Sequence, residues 1–248
     1  MHFTNMSKIK LTIEYVGTNF CGWQSQTNGV SVQDTVEKAL GNYFNCDPIR
    51  IYGAGRTDVG VHAKGQVAHF FPPKDVNPYK LCLGVNLSLP NSVAVVQAEK
   101  VTDDFDARFS AVSKTYCYRL YVSATRKPTL DVNHAQVYRP LNVYKMAMAA
   151  KMLEGTHDFA SFQKTGSNLK GTVRTINSFD VVDNNDGTID LVVNGNAFLY
   201  SVKKRRFQIT LPTEQAPHFL FKRDGTRLRR RVGKQSGFFP HNFRKCLF

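Results

Sequence analysis

The segment of residues 53–63 carries the side chains best suited to chemistry, because Arg56 and Asp58 stand there among glycines at positions 53, 55 and 60. Glycine lets the backbone follow a tight path and lets a large ligand approach closely. An arginine beside a carboxylate favours the ionised form, which is the form that acts as a nucleophile. The pattern therefore makes Asp58 a candidate nucleophile, although spacing alone favours a plainer role. The alternative is that Asp58 only caps its own turn by hydrogen bonds to the backbone.

Residues 55–63 read GRTDVGVHA and resemble the GRTDxGVHA signature of the TruA-type tRNA pseudouridine synthases. The resemblance extends over about four-fifths of the chain, from Ile9 to Val202. Its other segments include Gly22-Trp23-Gln24, Gly65-Gln66-Val67, Gly84-Val85-Asn86, Ala107-Arg108-Phe109-Ser110-Ala111, Lys114-Thr115-Tyr116-Cys117-Tyr118, Gly155-Thr156-His157-Asp158-Phe159 and Asn196-Ala197-Phe198-Leu199-Tyr200. A match at so many fixed positions is specific to this family.

The resemblance implies an enzyme that converts uridine to pseudouridine in the anticodon stem-loop of tRNA, without a cofactor or a metal. Asp58 would be the nucleophile, attacking either the ribose or the pyrimidine ring. Arg56 would enter the RNA stem and fill the space left by the flipped uridine. Tyr116 would stack on the target base and assist proton removal. We interpret Tyr118 as a core residue, and we assign structural roles to His62, His157 and Trp23.

The chain departs from the family pattern after Tyr200, where the family continues into a Met-Val-Arg segment and an apolar helix. Lys204 stands at the position of the family's arginine. By the resemblance, a cation there would pair with the catalytic aspartate and help to bind the substrate. Lysine supplies the charge but cannot form the bidentate hydrogen bonds of a guanidinium. The alternative is that Lys204 is one solvated member of a basic run. The abrupt change favours a reading-frame shift over divergence or a basic RNA-binding tail.

The charge of the chain points to a polyanionic partner. The formal net charge is +14, and residues 203–248 hold 13 Lys and Arg against 2 Asp and Glu. Basic side chains that neutralise phosphates gain affinity by releasing condensed counterions, so nucleic acid is the leading partner. The five cysteines are scattered, which argues against a metal site or a disulfide framework. The sequence shows neither a signal peptide nor an apolar membrane span, and we expect a soluble cytoplasmic protein.

The order of predicted elements indicates an α+β fold built from two ferredoxin-like halves, the βαββαβ arrangement of RRM-type RNA binders. In the first half we predict strands at residues 9–15, 49–53, 66–71 and 93–101. Helices are predicted after Ser31, where Asp34 completes a capping box, and after Pro78. The second half has predicted strands at 114–122, 172–182 and 188–194 and a helix at 143–153, with an Asp186-Gly187 hairpin turn.

The halves share a mostly antiparallel sheet in this prediction, and the second half is incomplete at its C-terminus. The expected divisions are residues 1–103 with the catalytic loop, residues 104–202, and an atypical basic tail at 203–248. Beyond Val202 neither a helical period nor a closing strand is evident, and Pro212 and Pro217 break any long helix.

Three functions remain open on this basis. The first is a tRNA pseudouridine synthase, which the family resemblance implies to be a homodimer. The second is an RNA-binding protein of the same fold whose catalysis is impaired by the altered C-terminus. A hydrolase that cleaves a glycosidic bond is disfavoured, because such enzymes use two carboxylates and the signature loop offers only Asp58.

Overall fold

The computed structural model describes residues 7–27, 29–162 and 171–198, together with the backbone of residues 245–247. Within these ranges the chain forms ten strands and three α-helices. The helices are α1 (Val32–Phe44), α2 (Pro78–Asn86) and α3 (Val143–Lys151). The strands are β1 (Lys8–Tyr15), β2 (Tyr52–Gly53), β3 (His62–Phe70), β4 (Val93–Val101), β5 (Lys114–Val122), β6 (Ala135–Val137), β7 (Gly155–Asp158), β8 (Val173–Asp183), β9 (Thr188–Gly195) and β10 (Lys245–Leu247). Short 3-10 helices lie at Gly17–Asn19 and Ala160–Phe162.

The first half has the predicted ferredoxin-like arrangement. Its strands lie in the order β4-β1-β3-β2, and each neighbouring pair is antiparallel. The period-two pattern of β1 is the reason for its central place, because Ile9, Leu11 and Ile13 are fully buried on one face. The predicted cap of α1 is also present, since the Ser31 side chain accepts a hydrogen bond from the backbone N–H of Asp34.

The second strand of this half is shorter than predicted, and the cause is a buried glutamate. Residues 49–51 were expected in a strand, but the N–H groups of Ile49 and Ile51 donate to the backbone oxygen and to Oε1 of Glu37, at 3.1 and 3.0 Å. Those donors are therefore used by α1 rather than by the sheet. Pairing with β3 begins only at Tyr52.

The second half repeats the arrangement, with β5, β9 and β8 adjacent and antiparallel. The predicted hairpin turn joins β8 to β9, and Asn185 and Gly187 there have positive φ angles of 59° and 85°. The short strands β6 and β7 were not predicted. They lie against β5 and β8 respectively.

The strand β10 joins the two halves into one sheet, pairing parallel with β3 and antiparallel with β5. It occupies the place beside β5 that β4 occupies beside β1, which is the position of a fourth ferredoxin-like strand. The sequence did not predict this strand, because we expected the second half to be incomplete. The rest of the predicted basic tail lies outside the described residues.

The connection between the halves is fastened to the first half. The buried Lys8 ammonium donates to the carbonyls of Asp103 and Phe105, at 2.7 and 2.5 Å. The N–H of Ala107 donates to Nδ1 of the buried His69, at 3.0 Å. Burial lowers the pKa of His69, and the neutral ring keeps Nδ1 available as an acceptor. The connection is thereby held beside β3, next to the loop that carries Asp58.

Each helix in the described part of the chain is too short or too polar to span a lipid bilayer.

Candidate active site

The loop between β2 and β3 ends in a tight turn that begins at Asp58. The N–H of Val61 donates to the Asp58 carbonyl at 3.2 Å, and Gly60 has a φ angle of 75°. A turn with positive φ at its third residue favours glycine, which explains this glycine of the signature. The turn is closed by backbone groups. The Asp58 carbonyl, rather than its carboxylate, accepts the hydrogen bond that closes the turn.

Thr57 anchors this loop from the inside. Its hydroxyl lies 2.8 Å from the Tyr15 hydroxyl, and its carbonyl accepts the N–H of Trp23 at 3.2 Å. Thr57 is buried, while Arg56 is exposed and Asp58 is partly buried. The fold thus holds the residue between the two candidate functional side chains and leaves both of them accessible.

The segment containing Gly22 packs directly on the backbone of the loop. Gly22 has a φ angle of 108°, and a Cβ atom built there would lie 2.6 Å from the Thr57 carbonyl oxygen. No real Cβ contact is that short, so any side chain at this position must displace the loop. Glycine is therefore required both by the backbone conformation and by the close approach.

We expect Gly22→Ala to lower the free energy of unfolding by about 1–3 kcal/mol and to reduce activity at least ~10-fold, because the Arg56–Asp58 backbone must shift. The control is Gly187→Ala in the distant β8–β9 turn. Its φ is 85°, but an added Cβ meets no described atom within 4 Å. Urea denaturation and tRNA isomerisation assays of both variants check this. Equal activity of the two variants would contradict it.

Two side chains hold the start of the loop. Lys114 Nζ donates to the Ala54 carbonyl at 2.7 Å, and Gln66 Nε2 donates to the Gly55 carbonyl at 2.6 Å. Burial lowers the pKa of Lys114, and the nearby Arg108 lowers it further. Neither Gln66 nor Lys114 was assigned a role from the sequence. A possible signal was the spacing of Lys114, two residues before Tyr116 on the same face of a strand.

Tyr116 and Tyr118 lie on the same face of β5, with exposed fractions of 5% and 9%. The Tyr116 ring packs edge-on against Phe198, with the ring centroids 5.0 Å apart. Burial, followed by the negative charge of Asp58, raises the pKa of Tyr116 to about 12. Burial, Tyr116 and Asp58 also raise the pKa of Tyr118. The fold therefore brings Asp58 within electrostatic range of Tyr116, although 58 residues separate them in sequence.

A pocket of about 220 Å³ lies beside the loop, between β3, β5 and the connection between the halves. Arg56, Lys114 and Lys10 bring positive charge to it, and Tyr116 forms part of its wall. Lys10 also pairs with Glu99, at 2.6 Å. Of the four predicted site residues, Arg56 and Tyr116 line this pocket, while Asp58 is not among its lining residues but is close enough to Tyr116 to raise its pKa. The fourth, Lys204, lies outside the described residues.

Trp23, His62 and His157, to which we assigned structural roles from the sequence, differ in exposure: the first two are buried and His157 is exposed. Trp23 is buried and packs so closely over Gly53 that a Cβ atom there would lie 2.5 Å from its ring nitrogen. His62 is buried at the start of β3. The Nε2 atom of His157 lies 2.7 Å from the Glu154 carbonyl. Among the residues that the structure describes, no three His, Cys, Asp or Glu side chains are grouped so as to hold a metal ion.

Comparison with known proteins gives this site a context. The tRNA pseudouridine synthase family model matches residues 11–110 and 149–210. The tRNA pseudouridine synthase A of Ruminiclostridium cellulolyticum is 41% identical over 197 residues, covering 79% of this chain and 80% of that protein. The enzyme of the same name from Nitrobacter hamburgensis is 45% identical over 200 residues, covering 79% and 80%.

A solved Cbf5-Nop10-Gar1 complex matches 78% of this chain and 42% of its own, at 8% identity and a TM-score of 0.37, which is too distant to bear on the site. The sequence relatives are much closer, and the first stretch matched by the family model contains the whole Asp58 loop. With its ferredoxin-like first half and its Asp58 loop beside a basic pocket, the chain belongs to the tRNA pseudouridine synthase family.

Proposed function

We propose that this chain isomerises uridine to pseudouridine in the anticodon stem-loop of tRNA, with Asp58 as the nucleophile. The observation that carries the proposal is an accessible carboxylate two residues from the exposed Arg56 and within electrostatic range of the buried Tyr116. The reaction is inferred from family membership, and the role of each residue is inferred from its position.

The reaction exchanges one glycosidic bond for another within the same nucleotide. The bond between the ribose carbon and the base nitrogen breaks, the base turns, and the ribose carbon bonds to carbon 5 of the pyrimidine. That carbon then loses its proton to solvent. The Asp58 carboxylate forms a temporary bond either to the ribose carbon or to the pyrimidine ring, and it is released intact. Both routes need an ionised carboxylate close to an extruded nucleotide.

Arg56 is placed to support that extruded state. Its side chain is exposed at the rim of the pocket, two residues from Asp58. A stacked base does not present its glycosidic bond to an enzyme, so the nucleotide must leave the stem. The planar guanidinium of Arg56 has the shape to stack in the vacated space and carries a charge that suits the surrounding phosphates.

Tyr116 is proposed to stack on the target base and to assist removal of the carbon 5 proton. With its pKa raised to about 12, its phenol stays protonated at neutral pH. It therefore assists as a hydrogen-bonding group while the substrate is bound, and a free phenolate is too scarce to act as the resting base.

We expect Tyr116→Phe to lower the single-turnover rate about 10²-fold, because the hydroxyl that hydrogen-bonds the reacting base during proton removal is lost. The phenylalanine keeps the contact with Phe198. The matched control is Tyr118→Phe, which removes a hydroxyl from the next residue on the same face and should change the rate only about 2-fold. Quenched-flow measurement at saturating tRNA compares them. A wild-type rate for Tyr116→Phe would leave Tyr116 with a packing role alone.

The test of the proposed function is release of tritium from tRNA whose uridines carry tritium at carbon 5. Isomerisation replaces that hydrogen, so the wild-type chain should release tritium stoichiometrically with the modified uridine. Binding is measured in parallel by filter retention. Binding without tritium release would replace the proposal with the second candidate, an RNA-binding protein of the same fold.

The remaining assignments follow from the family and from the organisation of the chain. We propose domains at residues 1–103 and 104–202, followed by a basic tail at 203–248, in a cytoplasmic homodimer. A boundary in the connection is supported by the end of β4 at Val101 and the start of β5 at Lys114. The role of Lys204 beside Asp58 stays a prediction. Light scattering of the purified chain tests the dimer.

A further inference from the structure

The two carbonyls that precede Arg56 are held by side chains from different halves of the molecule. The Ala54 carbonyl accepts a hydrogen bond from Lys114 on β5, and the Gly55 carbonyl accepts one from Gln66 on β3. The N–H of Ala54 still pairs with the Val67 carbonyl, at 2.8 Å. The loop therefore leaves the sheet at residue 54, and from there side chains take over the hydrogen bonds that a strand partner would have made.

Lys114 is partly buried, and its contact with the loop is close. A Cβ atom at Gly55 would lie 3.0 Å from Nζ, so the ammonium group lies directly against the loop backbone. Burying an ammonium group is costly unless it is paired or hydrogen-bonded. Hydrogen bonds that involve a charged donor are also stronger than neutral ones. The Lys114–Ala54 contact is therefore strong enough to fix the loop relative to β5.

The same strand carries Tyr116 two residues later, on the same face. A hydrogen bond from Lys114 to the loop consequently sets the separation between Tyr116, in the second half, and Arg56 and Asp58, in the first. Gln66 fixes the loop relative to β3 within the first half. Its side chain is 1% exposed and donates to the Gly55 carbonyl.

We propose that Lys114 and Gln66 are positioning residues, which hold the Ala54 and Gly55 carbonyls so that Asp58 and Tyr116 meet the same nucleotide. This inference rests on the proposed isomerase function. Neither residue needs to touch the reacting atoms. A displacement of about 1 Å at a catalytic group is enough to cost roughly 10²-fold in rate.

The experiment uses the full chain with Gln66→Met and Lys114→Met, which remove the donors and keep unbranched side chains. We expect each to lower the single-turnover rate of tritium release at saturating tRNA by about 10- to 100-fold. Gln66→Met changes no charge, so its tRNA dissociation constant should stay within about 3-fold of wild type. Lys114→Arg keeps a charged donor and should restore the rate to within about 5-fold.

Lys10→Met is the control for charge, because it removes one cation from the same pocket but leaves the loop hydrogen bonds in place. Its rate at saturating tRNA should fall less than that of Lys114→Met. Melting temperatures, measured on every variant, ensure that rates are compared well below unfolding. A purely structural role would lower the melting temperature while leaving the rate of the folded enzyme unchanged.

The outcomes separate this inference from the proposed function. An active wild type with Gln66→Met and Lys114→Met at the wild-type rate would overturn the positioning roles and leave the isomerase function standing. Equal rate losses in Lys114→Met and Lys10→Met would show that Lys114 acts only as a pocket charge, which also overturns its role. A wild type that releases no tritium removes the proposed function, and this inference with it.

Discussion

Replacing Asp58 with asparagine should abolish isomerisation, with a rate loss of at least about 10³-fold, because the amide has a similar shape but is not a nucleophile. The affinity for tRNA should stay within a few-fold of wild type. Contacts with phosphates dominate such binding, and they come from lysines and arginines rather than from this carboxylate. Tritium release and filter binding measure the two quantities on the same preparation.

The matched control is Asp75→Asn. It removes the same negative charge from an exposed site, where Asp75 pairs with Lys100 at 2.6 Å. Exposed pairs contribute little to stability, so this variant should keep its activity. Loss of activity in both variants would point to net charge rather than to Asp58 chemistry. Turnover retained by Asp58→Asn would remove the nucleophile assignment.

Replacing Arg56 with alanine is expected to lower the rate on intact tRNA about 10²-fold. Extruding a stacked, paired uridine costs a few kcal/mol, and Arg56 is proposed to offset that cost by filling the vacated space. A loss of about 2.7 kcal/mol corresponds to that factor. Arg50→Ala controls for the lost charge, because Arg50 precedes β2 in the chain and its side chain is mostly exposed.

A second substrate sharpens this prediction. In a single-stranded RNA the target uridine is not held in a stem, so the penalty for Arg56→Ala should shrink to a few-fold. Single-turnover rates on both substrates give the comparison. An equal loss on stem and single strand would show that Arg56 acts on the chemistry itself or on general binding, and not on nucleotide extrusion.

Local sequence signals predicted much of the fold because they act over a few residues. Ser31 and Asp34 predicted the start of α1, and Asp186-Gly187 predicted the turn of the second hairpin, since caps and turns are decided by neighbouring groups. The shortening of β2 was not predictable in this way. It depends on Glu37, which approaches Ile51 only after α1 has packed against the sheet.

The candidate site shows the same division. The signature around Asp58 and the family resemblance of Tyr116 were evident in the sequence. The supports were not, because Lys114 lies 60 residues from Ala54 in the chain and Tyr15 lies 42 residues from Thr57. No local pattern reports such pairings. The position of β10 between the halves is likewise a long-range result, reached from a segment with no clear strand pattern.

The most direct test of an isomerase with Asp58 as its nucleophile is to identify the product itself. Excess wild-type chain and excess Asp58→Asn are each incubated with one tRNA, and the RNA is digested to nucleosides for chromatography with mass detection. We expect one pseudouridine gained for each uridine lost with the wild type, and unchanged uridine with Asp58→Asn. Pseudouridine formed by Asp58→Asn at a rate near that of the wild type would contradict this expectation.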